Sequence, residues 1–570
     1  MVATAYPRRF VPKELDAADF SQLEKHYREL MDRAVSSVEE LKKWLLDFSE
    51  LSSVVDEYGS RCYINKSCHT EDAEIKKRYF HFVENVEPKV KPLAFALQKK
   101  YLESPYRKQL EGTRYAVLDR KWQADVELFR EANIPIETEV IKKVSEYDEI
   151  NGRMMVTIGG KELTLQQAAR FLEFPDRPAR QEAWEATSAR RLADREQIET
   201  IYDALLPLRQ QIATNAGLSD YRAFQWKANK RFDYTPEDCL RFADAIAETC
   251  VPVVRRLDEQ RAADLGLKKL RPWDLSVDPQ GRAPLKPFEE TQIEDFVGKT
   301  REIFNRLSPA LAGDFDQLRA RGNLDLQSRK GKQPGGYLMP LEESRQPFIF
   351  MNAAGLQRDV QTLLHEGGHA FHHLAAANED LVFLRSAPME FCEVASMAME
   401  LLGSEHLGVF YNAADSARAR RTLIEGIIRF LPWMAIIDSF QHWIYTHPGH
   451  HRQEREKHWI SLLDRFSSKT DWTGWEQVRS TLWQRQGHLF HAPFYYIEYG
   501  IAQLGALQLW MKAKHDPRAA LANYRAALAL GGTKPLPQLF SAAGIVFDFS
   551  QKTLGPVMKA MEQELEELPR

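Results

Sequence analysis

Several features that would place the chain in a special class of protein are missing from its sequence. The first residues, MVATAYPRRFVPKEL, contain no apolar stretch of the kind that forms the core of a secretory signal. No uninterrupted apolar run approaches the roughly 18–20 residues that a membrane-spanning helix requires. We therefore expect neither a signal peptide nor a membrane partner.

Cysteine is scarce, and neither sign of charge is in clear excess. The 570 residues include five cysteines, an odd number, and none of them forms a CxxC pair. This excludes a small disulfide-bonded scaffold and indicates reduced thiols in the cytoplasm. Lys and Arg number 77 against 81 Asp and Glu, without the basic surplus of a general nucleic-acid-binding protein. We expect a cytoplasmic protein with no nucleic-acid partner.

Helical periodicity dominates what is present. Apolar residues recur at helical spacing between charged ones in four long segments: 19–57, 71–102, 180–216 and 236–264. A chain of this length is too long for one ordinary core, so more than one lobe is expected. We predict a mostly α protein, with an N-terminal helical lobe over residues 1–200 and a catalytic domain over residues 201–570.

Strand patterns are few. Arg153–Leu165 reads as a hairpin, with Gly159-Gly160 as a two-residue turn. The short apolar stretch Pro347–Gly355, which is aromatic and ends in Gly, predicts a second strand region. Residues 265–291 contain Gly and Pro and little periodicity, which is typical of a long connection.

The segment Val360–Ala377 predicts an amphipathic helix that carries His365-Glu366-Gly-Gly-His369. Residues four apart on a helix lie on one face, about 6 Å apart along the axis, so both imidazoles can bind one tetrahedral zinc ion. Glu366 lies beside that face, where it can activate a water molecule as a base without ligating the metal. The two glycines each cost about 1 kcal/mol relative to Ala, which often marks a close approach by another backbone or a ligand.

A second predicted helix, Ala387–Gly403, supplies a carboxylate. A catalytic zinc site has three protein ligands and one open position, and Glu393 completes the set. Glu390 is the rival ligand, although its position suits neutralisation of the start of its own helix. Glu400 returns to the face of Glu393, where it is either solvated or hydrogen-bonded to a ligand histidine. Asp359 has a similar ambiguity, with helix capping as the leading interpretation.

HEGGHAFHH followed by EFCEVASMAMEL resembles the thimet oligopeptidase and oligoendopeptidase F family of metallopeptidases, which has an HExGHxxH helix and then a Glu-x-x-Ser helix. PGGYLMP (Pro334–Pro340) and PFIFMNAAGLQRDVQTL resemble the family's segment before the zinc helix. HLFHAPFYYIEYGIAQLGALQLW (His488–Trp510) resembles its Tyr-rich, substrate-facing segment. Gly159–Trp184 resembles the oligoendopeptidase F branch, and the strong motifs cover about residues 334–510.

The resemblance implies a fold and a cofactor. The fold is two helical lobes flanking a deep substrate channel, with a small β-sheet beside the zinc-binding helix. The cofactor is one zinc ion per chain, held by His365, His369 and Glu393. Narrow access implies that the substrates are unstructured oligopeptides. His372 matches the last His of the family pattern. We expect it either to pack in the core or to contact the metal ligands without binding the metal.

Amide hydrolysis creates an oxyanion, which a neutral tyrosine hydroxyl can stabilise by donating a hydrogen bond. Tyr496 and Tyr499 are three apart, on one predicted helical face, and match the family's paired tyrosines. His488 matches its nearby histidine. Where one branch of the family has a further Tyr, this chain has Ala or Pro, so Tyr495 and His491 are alternatives.

Two other groups of potential ligands are weaker. Cys62, Cys68 and His69 resemble part of a zinc knuckle, but no second pair follows. Five histidines crowd one region amid Pro, Gly and alternating charges. Their pattern favours an exposed loop and helix start over a second metal site; they are His442, His447, His450, His451 and His458.

The sequence thus predicts a zinc-dependent oligoendopeptidase that hydrolyses internal bonds of short, unstructured peptides. Glu366 takes a proton from the attacking water and passes it to the leaving amine. The strand Pro347–Gly355 can hold the substrate by pairing with it as an open edge. The alternatives are a related zinc carboxypeptidase, an inactive peptide-binding protein, and a structural zinc site with four protein ligands. Cleavage preference and the choice between monomer and homodimer stay open.

Overall fold

The computed structural model describes residues 6–329, 331–333 and 335–570. Pro334, the first residue of the PGGYLMP segment, lies outside the described residues. The protein is mostly helical, with 69% helix and 4% strand, which confirms the predicted fold class. The substrate channel stays a prediction. Each helix in the described part of the chain is too short or too polar to span a bilayer.

The helices of the first half follow the predicted periodic segments, with breaks inside three of them. The segment 19–57 divides because Ser37 starts a new helix, its side chain accepting a hydrogen bond from the backbone N–H of Glu40. These helices are α1 (Phe20–Asp32), α2 (Val38–Cys68), α3 (Ala73–His81), α4 (Glu87–Glu103), α5 (Thr113–Leu128), α6 (Ile134–Gly152), α7 (Leu165–Ala169), α8 (Arg177–Ala193), α9 (Arg195–Asn215), α10 (Tyr221–Ala228) and α11 (Pro236–Asp264).

The helices of the second half include both of those predicted to hold metal ligands. They are α12 (Ile293–Leu307), α13 (Pro309–Ala320), α14 (Gln357–Ala375), α15 (Met389–Ser404), α16 (Ala413–Thr446), α17 (Arg452–Phe466), α18 (Glu476–Ser480), α19 (His488–His491), α20 (Tyr496–His515), α21 (Pro517–Leu528), α22 (Leu536–Ala542) and α23 (Gln551–Glu567). The predicted connection 265–291 contains only a short 3₁₀ turn at Pro272–Asp274.

The predicted hairpin is confirmed. Strands β1 (Met155–Ile158) and β2 (Lys161–Thr164) are antiparallel, and Ile158 pairs with Lys161. Gly159 and Gly160 form the turn with φ of 56° and 76°, a backbone conformation that glycine adopts without strain.

A three-stranded sheet contains β3 (Leu324–Gln327), β4 (Tyr337–Leu341) and β5 (Gln346–Ala353). Its order is β3-β5-β4, with β3 parallel and β4 antiparallel to β5. The expectation that the strand within Pro347–Gly355 offers an open edge is therefore wrong. β5 is the central strand, and neighbours on both sides use its backbone hydrogen-bonding groups. It also packs against α14, which puts the sheet beside that helix as predicted.

Two compact units make up the chain, and they interleave along the sequence. The first comprises the residues up to Glu127 with Lys286–Ala419 and Gly505–Phe547. The second comprises Leu128–Leu285, Arg420–Leu504 and Asp548–Arg570. Each unit is made of several separate segments, whereas the predicted helical lobe and catalytic domain are each continuous and divide at residue 200. That predicted division stays a prediction.

Helices α14 and α15 of the first unit pack unusually closely. A Cβ atom added at Gly368 would lie 2.5 Å from the carbonyl oxygen of Ala395 and 2.6 Å from Cα of Ser396. That carbonyl also accepts a hydrogen bond of 2.7 Å from the hydroxyl of Tyr524. At the other end of the contact, Gly403 of α15 faces the side chain of Leu364. The mid-helix glycine thus permits an approach of another backbone, as its sequence position predicts.

Gly368→Ala should push α14 and α15 apart, because the new methyl group meets backbone atoms that cannot move alone. We expect a loss of unfolding free energy on the order of 1–3 kcal/mol or more, seen as a lower midpoint in thermal unfolding. Gly313→Ala in α13 is the matched control, since nothing lies within 4 Å of its Cβ position. It should be neutral or more stable by up to about 1 kcal/mol. Equal midpoints for both variants would contradict the close packing.

Candidate metal centre

Three predicted ligands come together where α14 faces α15. Atoms of His365, His369 and Glu393 that can bind a metal lie within 4.8 Å of one another. Oε2 of Glu393 is 3.5 Å from Nε2 of His365 and 3.6 Å from Nε2 of His369. Neighbouring N and O ligands of one tetrahedral zinc ion are expected to be about 3.4 Å apart. The side chains are therefore spaced for one ion.

The start of α14 is fixed by Asp359. Its Oδ2 accepts hydrogen bonds of 2.8 Å from the backbone N–H groups of Ala354 and Leu356. Asp359 is buried among these donors, so it caps the helix, as its leading interpretation proposes. The cap connects the end of β5 to the helix that carries His365 and His369.

Two further side chains orient the ligands. Oε1 of Glu400 lies 2.7 Å from Nδ1 of His365, which leaves Nε2 of that ring for the metal. The hydroxyl of Ser396 donates a 3.0 Å hydrogen bond to Oε2 of Glu393. The sequence leaves two alternatives for Glu400, a solvated side chain or a hydrogen bond to a ligand histidine. The structure shows the hydrogen bond.

Glu366 is buried, with 6% of its surface exposed, and its Oε2 has no hydrogen-bond partner. Burial, with the negative charges of Glu393 and Glu400, raises its pKa to about 7. A carboxylate with a pKa near neutrality can both take and return a proton at physiological pH. The unpartnered oxygen is available to a water molecule.

The two histidines have different electrostatic surroundings. Burial lowers the pKa of His365, but the hydrogen bond and charge of Glu400 outweigh it and raise that pKa to about 9. Burial, and then the charge of His365, hold the pKa of His369 well below its ordinary value. The carboxylates around His365 favour a positive charge at this point, whether it is a proton or a metal cation.

Two nitrogens and one carboxylate oxygen form the donor set of a catalytic zinc site. Within the described residues this group has three protein ligands, one fewer than a structural zinc site requires. Glu390, the rival ligand, is buried in the first turn of α15 and is not part of the group. His372 packs edge-on against Phe391, with ring centroids 6.0 Å apart, which agrees with a packing role.

The Tyr-rich segment belongs to the second unit, apart from the end of α20. His488 begins α19, while Tyr496 and Tyr499 lie in the first turn of α20. The ring centroid of His488 is 5.0 Å from that of Tyr496 and 5.8 Å from that of Tyr499. Tyr495 joins the same cluster, with its ring 5.2 Å from Tyr499. The structure thus brings all three predicted residues together.

A tight turn between α19 and α20 sets the direction of these rings. Phe494 has φ of 64°, a left-handed conformation that is rare for a bulky residue. Its N–H donates to Oε1 of Gln441, and its carbonyl accepts from the guanidinium of Arg231. Arg231 also pairs with Glu498 at 2.8 Å, and both side chains are buried. The strained turn is therefore held from both sides.

His491 serves a different purpose from His488. Its Nε2 lies 2.7 Å from Oδ1 of Asp148, and this hydrogen bond raises the pKa of His491. Burial lowers the pKa of His488, whose Nδ1 lies 2.8 Å from Nε2 of Gln486. A neutral His488 beside the tyrosines is available as a hydrogen-bonding group, whereas His491 is engaged in an ion pair.

Sequence patterns did not indicate Arg231 or Phe494 as determinants of this segment. Arg231 is far from the segment in sequence, and Phe494 looks like an ordinary core residue. Ser396 stands in the Glu-x-x-Ser pattern, so that pattern is the one signal that points to it.

A model of "Peptidase family M3" matches residues 170–556, and a model of the "Peptidase M3 N-terminal domain" matches residues 10–129. Oligopeptidase A of Haemophilus influenzae is 22% identical over 351 residues, 52% of this chain and 51% of that protein. An oligoendopeptidase F homolog of Borreliella burgdorferi is 23% identical over 331 residues, 56% and 54% of the two chains. The chain thus spans about half the length of these curated relatives.

Among solved structures, PZ peptidase A with inhibitor 2 is similar over almost the whole chain. The TM-score is 0.90 at 27% sequence identity, with 98% of this chain and 99% of that chain covered. The likeness therefore includes both compact units.

Glu400→Gln should weaken metal binding, because the amide is a poorer acceptor for the His365 ring than the carboxylate. We expect zinc affinity to fall about 10- to 100-fold, measured by competition with a chromophoric chelator. Glu405→Gln is the matched control: its carboxylate contacts Trp510 and Lys514 instead of a ligand. An unchanged affinity in Glu400→Gln would show that the contact has no effect on the metal.

Proposed function

The chain belongs to peptidase family M3, and on this premise we propose that it is a zinc-dependent oligoendopeptidase acting on short, unstructured peptides. The observation that carries the proposal is the position of the buried, unpartnered Glu366 oxygen beside His365, His369 and Glu393. A peptide-binding protein without activity has no use for such a base. A pKa near neutrality supports its role in proton transfer.

His365, His369 and Glu393 are the residues that would hold the zinc ion, which supplies Lewis-acid chemistry to the site when bound. In the proposed reaction Glu366 takes a proton from the water that attacks the scissile carbonyl. Glu366 then delivers that proton to the nitrogen of the leaving amine. Glu400 and Ser396 keep the ligand side chains in position throughout.

We assign the stabilisation of the oxyanion to the hydroxyls of Tyr496 and Tyr499, with His488 beside them. Each hydroxyl can donate a hydrogen bond to the carbonyl oxygen as negative charge develops on it. The mutual contacts of these three rings support a shared role. Tyr495 and His491 remain the alternatives, and the ion pair of His491 with Asp148 makes it the weaker of the two.

An extended peptide can bind by adding a strand to a sheet. Because β5 is central, the edges available to such a strand are those of β3 and β4. This mode recognises the backbone more than the side chains, which suits a peptidase with little sequence preference. The five cysteines form no disulfide in the described part of the chain, which supports the proposed cytoplasmic location.

Glu366→Gln tests the base. The amide keeps the shape of the side chain but cannot accept a proton, so the variant should retain zinc and lose several orders of magnitude in turnover. Glu393→Gln removes a charged ligand and should lower zinc affinity and rate together. Metal content and hydrolysis of a peptide of about ten residues are measured on the same preparations, before and after chelation.

In the wild type, chelation should abolish cleavage and zinc should restore it, and His365→Ala should lose both metal and activity. Activity that survives complete metal removal would refute the zinc mechanism. An active Glu366→Gln enzyme would refute the base. Mass spectrometry of the fragments distinguishes the two kinds of peptidase, since release of single C-terminal residues would indicate a carboxypeptidase.

Tyr496→Phe and Tyr499→Phe test the oxyanion donors, because each change deletes only a hydroxyl. If the hydroxyl donates to the oxyanion, kcat should fall by roughly 10²–10³ with zinc content and KM nearly unchanged. Tyr495→Phe, in the same ring cluster, is the comparison. Wild-type rates in the first two variants, with a slow Tyr495→Phe enzyme, would move the assignment to Tyr495.

A further inference from the structure

A second group of potential metal ligands lies inside the second unit. It consists of Cys239 in the first turns of α11 and of Asp438 and His442 in α16. One ligand atom from each of the three lies within 4.8 Å of the other two. All three side chains are in the core, with exposed fractions of 1%, 1% and 3%. His442 is therefore a buried helical residue, and its expected place in an exposed loop is wrong.

The geometry within the group is that of ligands rather than of a hydrogen-bonded pair. Asp438 and His442 are four apart in α16, the same spacing as His365 and His369 in α14. Oδ2 of Asp438 lies 3.2 Å from Nε2 of His442, close to the roughly 3.4 Å between neighbouring N and O ligands of a tetrahedral zinc ion. Despite this short distance, Nε2 has no hydrogen-bond partner. The two groups are thus within ion-pair distance but are not oriented as a hydrogen bond.

Other atoms of the same side chains also lack partners. Nδ1 of His442 and Oδ1 of Asp438 are buried without a hydrogen bond. The His442 ring packs against two apolar rings, with centroid distances of 5.3 Å to Phe494 and 5.9 Å to Trp226. These two aromatic rings hold the His442 ring in one orientation and supply no hydrogen-bond partner to its nitrogens. A buried carboxylate and imidazole are unfavourable in this environment unless something polar binds them.

We propose that Cys239, Asp438 and His442 bind a second divalent transition-metal ion, and that this ion is zinc. Thiolate sulfur, carboxylate oxygen and imidazole nitrogen are all zinc donors, and the Cys239 thiol releases its proton on binding. The ion joins α11 to α16 in the core of the second unit. It raises the expected zinc content from one to two per chain.

The donor sets of the two sites differ in a way that an experiment can use. The centre on α14 and α15 has no sulfur ligand, whereas the second group has Cys239. Cobalt(II) bound to a thiolate gives an intense charge-transfer band in the near ultraviolet, which nitrogen and oxygen ligands do not give. The band therefore reports on the second site alone, independently of peptidase activity and of the proposed function.

The test uses the full chain with His365→Ala and His369→Ala, which removes the first centre, and titrates the metal-free protein with Co²⁺. We expect one equivalent to bind with the thiolate band, and zinc to displace it. Adding Cys239→Ser should abolish the band and weaken binding at least about tenfold. Cys250→Ser is the matched control, because Cys250 is also buried in α11 but lies outside the group. It should keep the band.

Three results would overturn the proposal: no metal bound by the double variant, a band that persists in Cys239→Ser, or a band lost in Cys250→Ser. Circular dichroism establishes that each variant is folded before titration. A second measurement needs no substitution, since zinc-saturated wild-type protein should contain two ions per chain by elemental analysis. One ion in the wild type and none in the double variant means that the buried group holds only water.

Discussion

The close contact between α14 and α15 is the constraint on which the candidate metal centre depends. Two ligands come from α14 and the third comes from α15. Their ligand atoms can therefore meet around one ion only if the two backbones are close together. Gly368 allows this, because any larger residue would meet the carbonyl of Ala395. Glycine inside a helix is unfavourable by itself. Here the loss of helix stability at Gly368 is offset by the close packing of α14 against α15 that this glycine permits.

The same contact concentrates charge in a buried place. Glu366, Glu393 and Glu400 lie around one pair of imidazoles, and burial would make three carboxylates unfavourable without cations. Burial, and then the charges of Glu393 and Glu400, raise the pKa of Glu366. The attraction of the carboxylates for positive charge outweighs burial at His365 and raises its pKa. The arrangement trades stability of the metal-free protein for affinity toward a cation.

Features encoded at short range could be predicted from the sequence. The spacing of His365 and His369 and the glycine turn of the hairpin follow from the periods of helices and turns. The choice of Glu393 over Glu390 follows instead from the Glu-x-x-Ser pattern of the family that the sequence resembles. The contact of Glu400 with His365 was one of two alternatives, because helical spacing gives a face but not a partner. The pairing of strands that are distant in the sequence was harder to predict. The central position of β5 depends on β3 and β4, and neither is visible in the pattern of β5 itself.

The histidine cluster shows a different limit. Its Pro, Gly and charged neighbours dominate the local composition, and they correctly indicate a turn after α16. His442 precedes that turn and is buried by Trp226 and Phe494, which come from distant parts of the chain. Similarly, the strained backbone of Phe494 is possible only because Arg231 and Gln441 hold it. Such effects belong to tertiary structure and leave no periodic signal.

The interleaving of the two units has a consequence for the order of events during synthesis. The first unit includes Gly505–Phe547, and Tyr524 in that segment donates to the carbonyl of Ala395 at the tightest point between α14 and α15. A nascent chain therefore emerges from the ribosome with both metal-ligand helices long before this partner exists. Until then their glycine-rich contact surface is incomplete and its apolar side chains are open to other molecules. The contact between the two helices can therefore be completed only after the segment that carries Tyr524 has been synthesised.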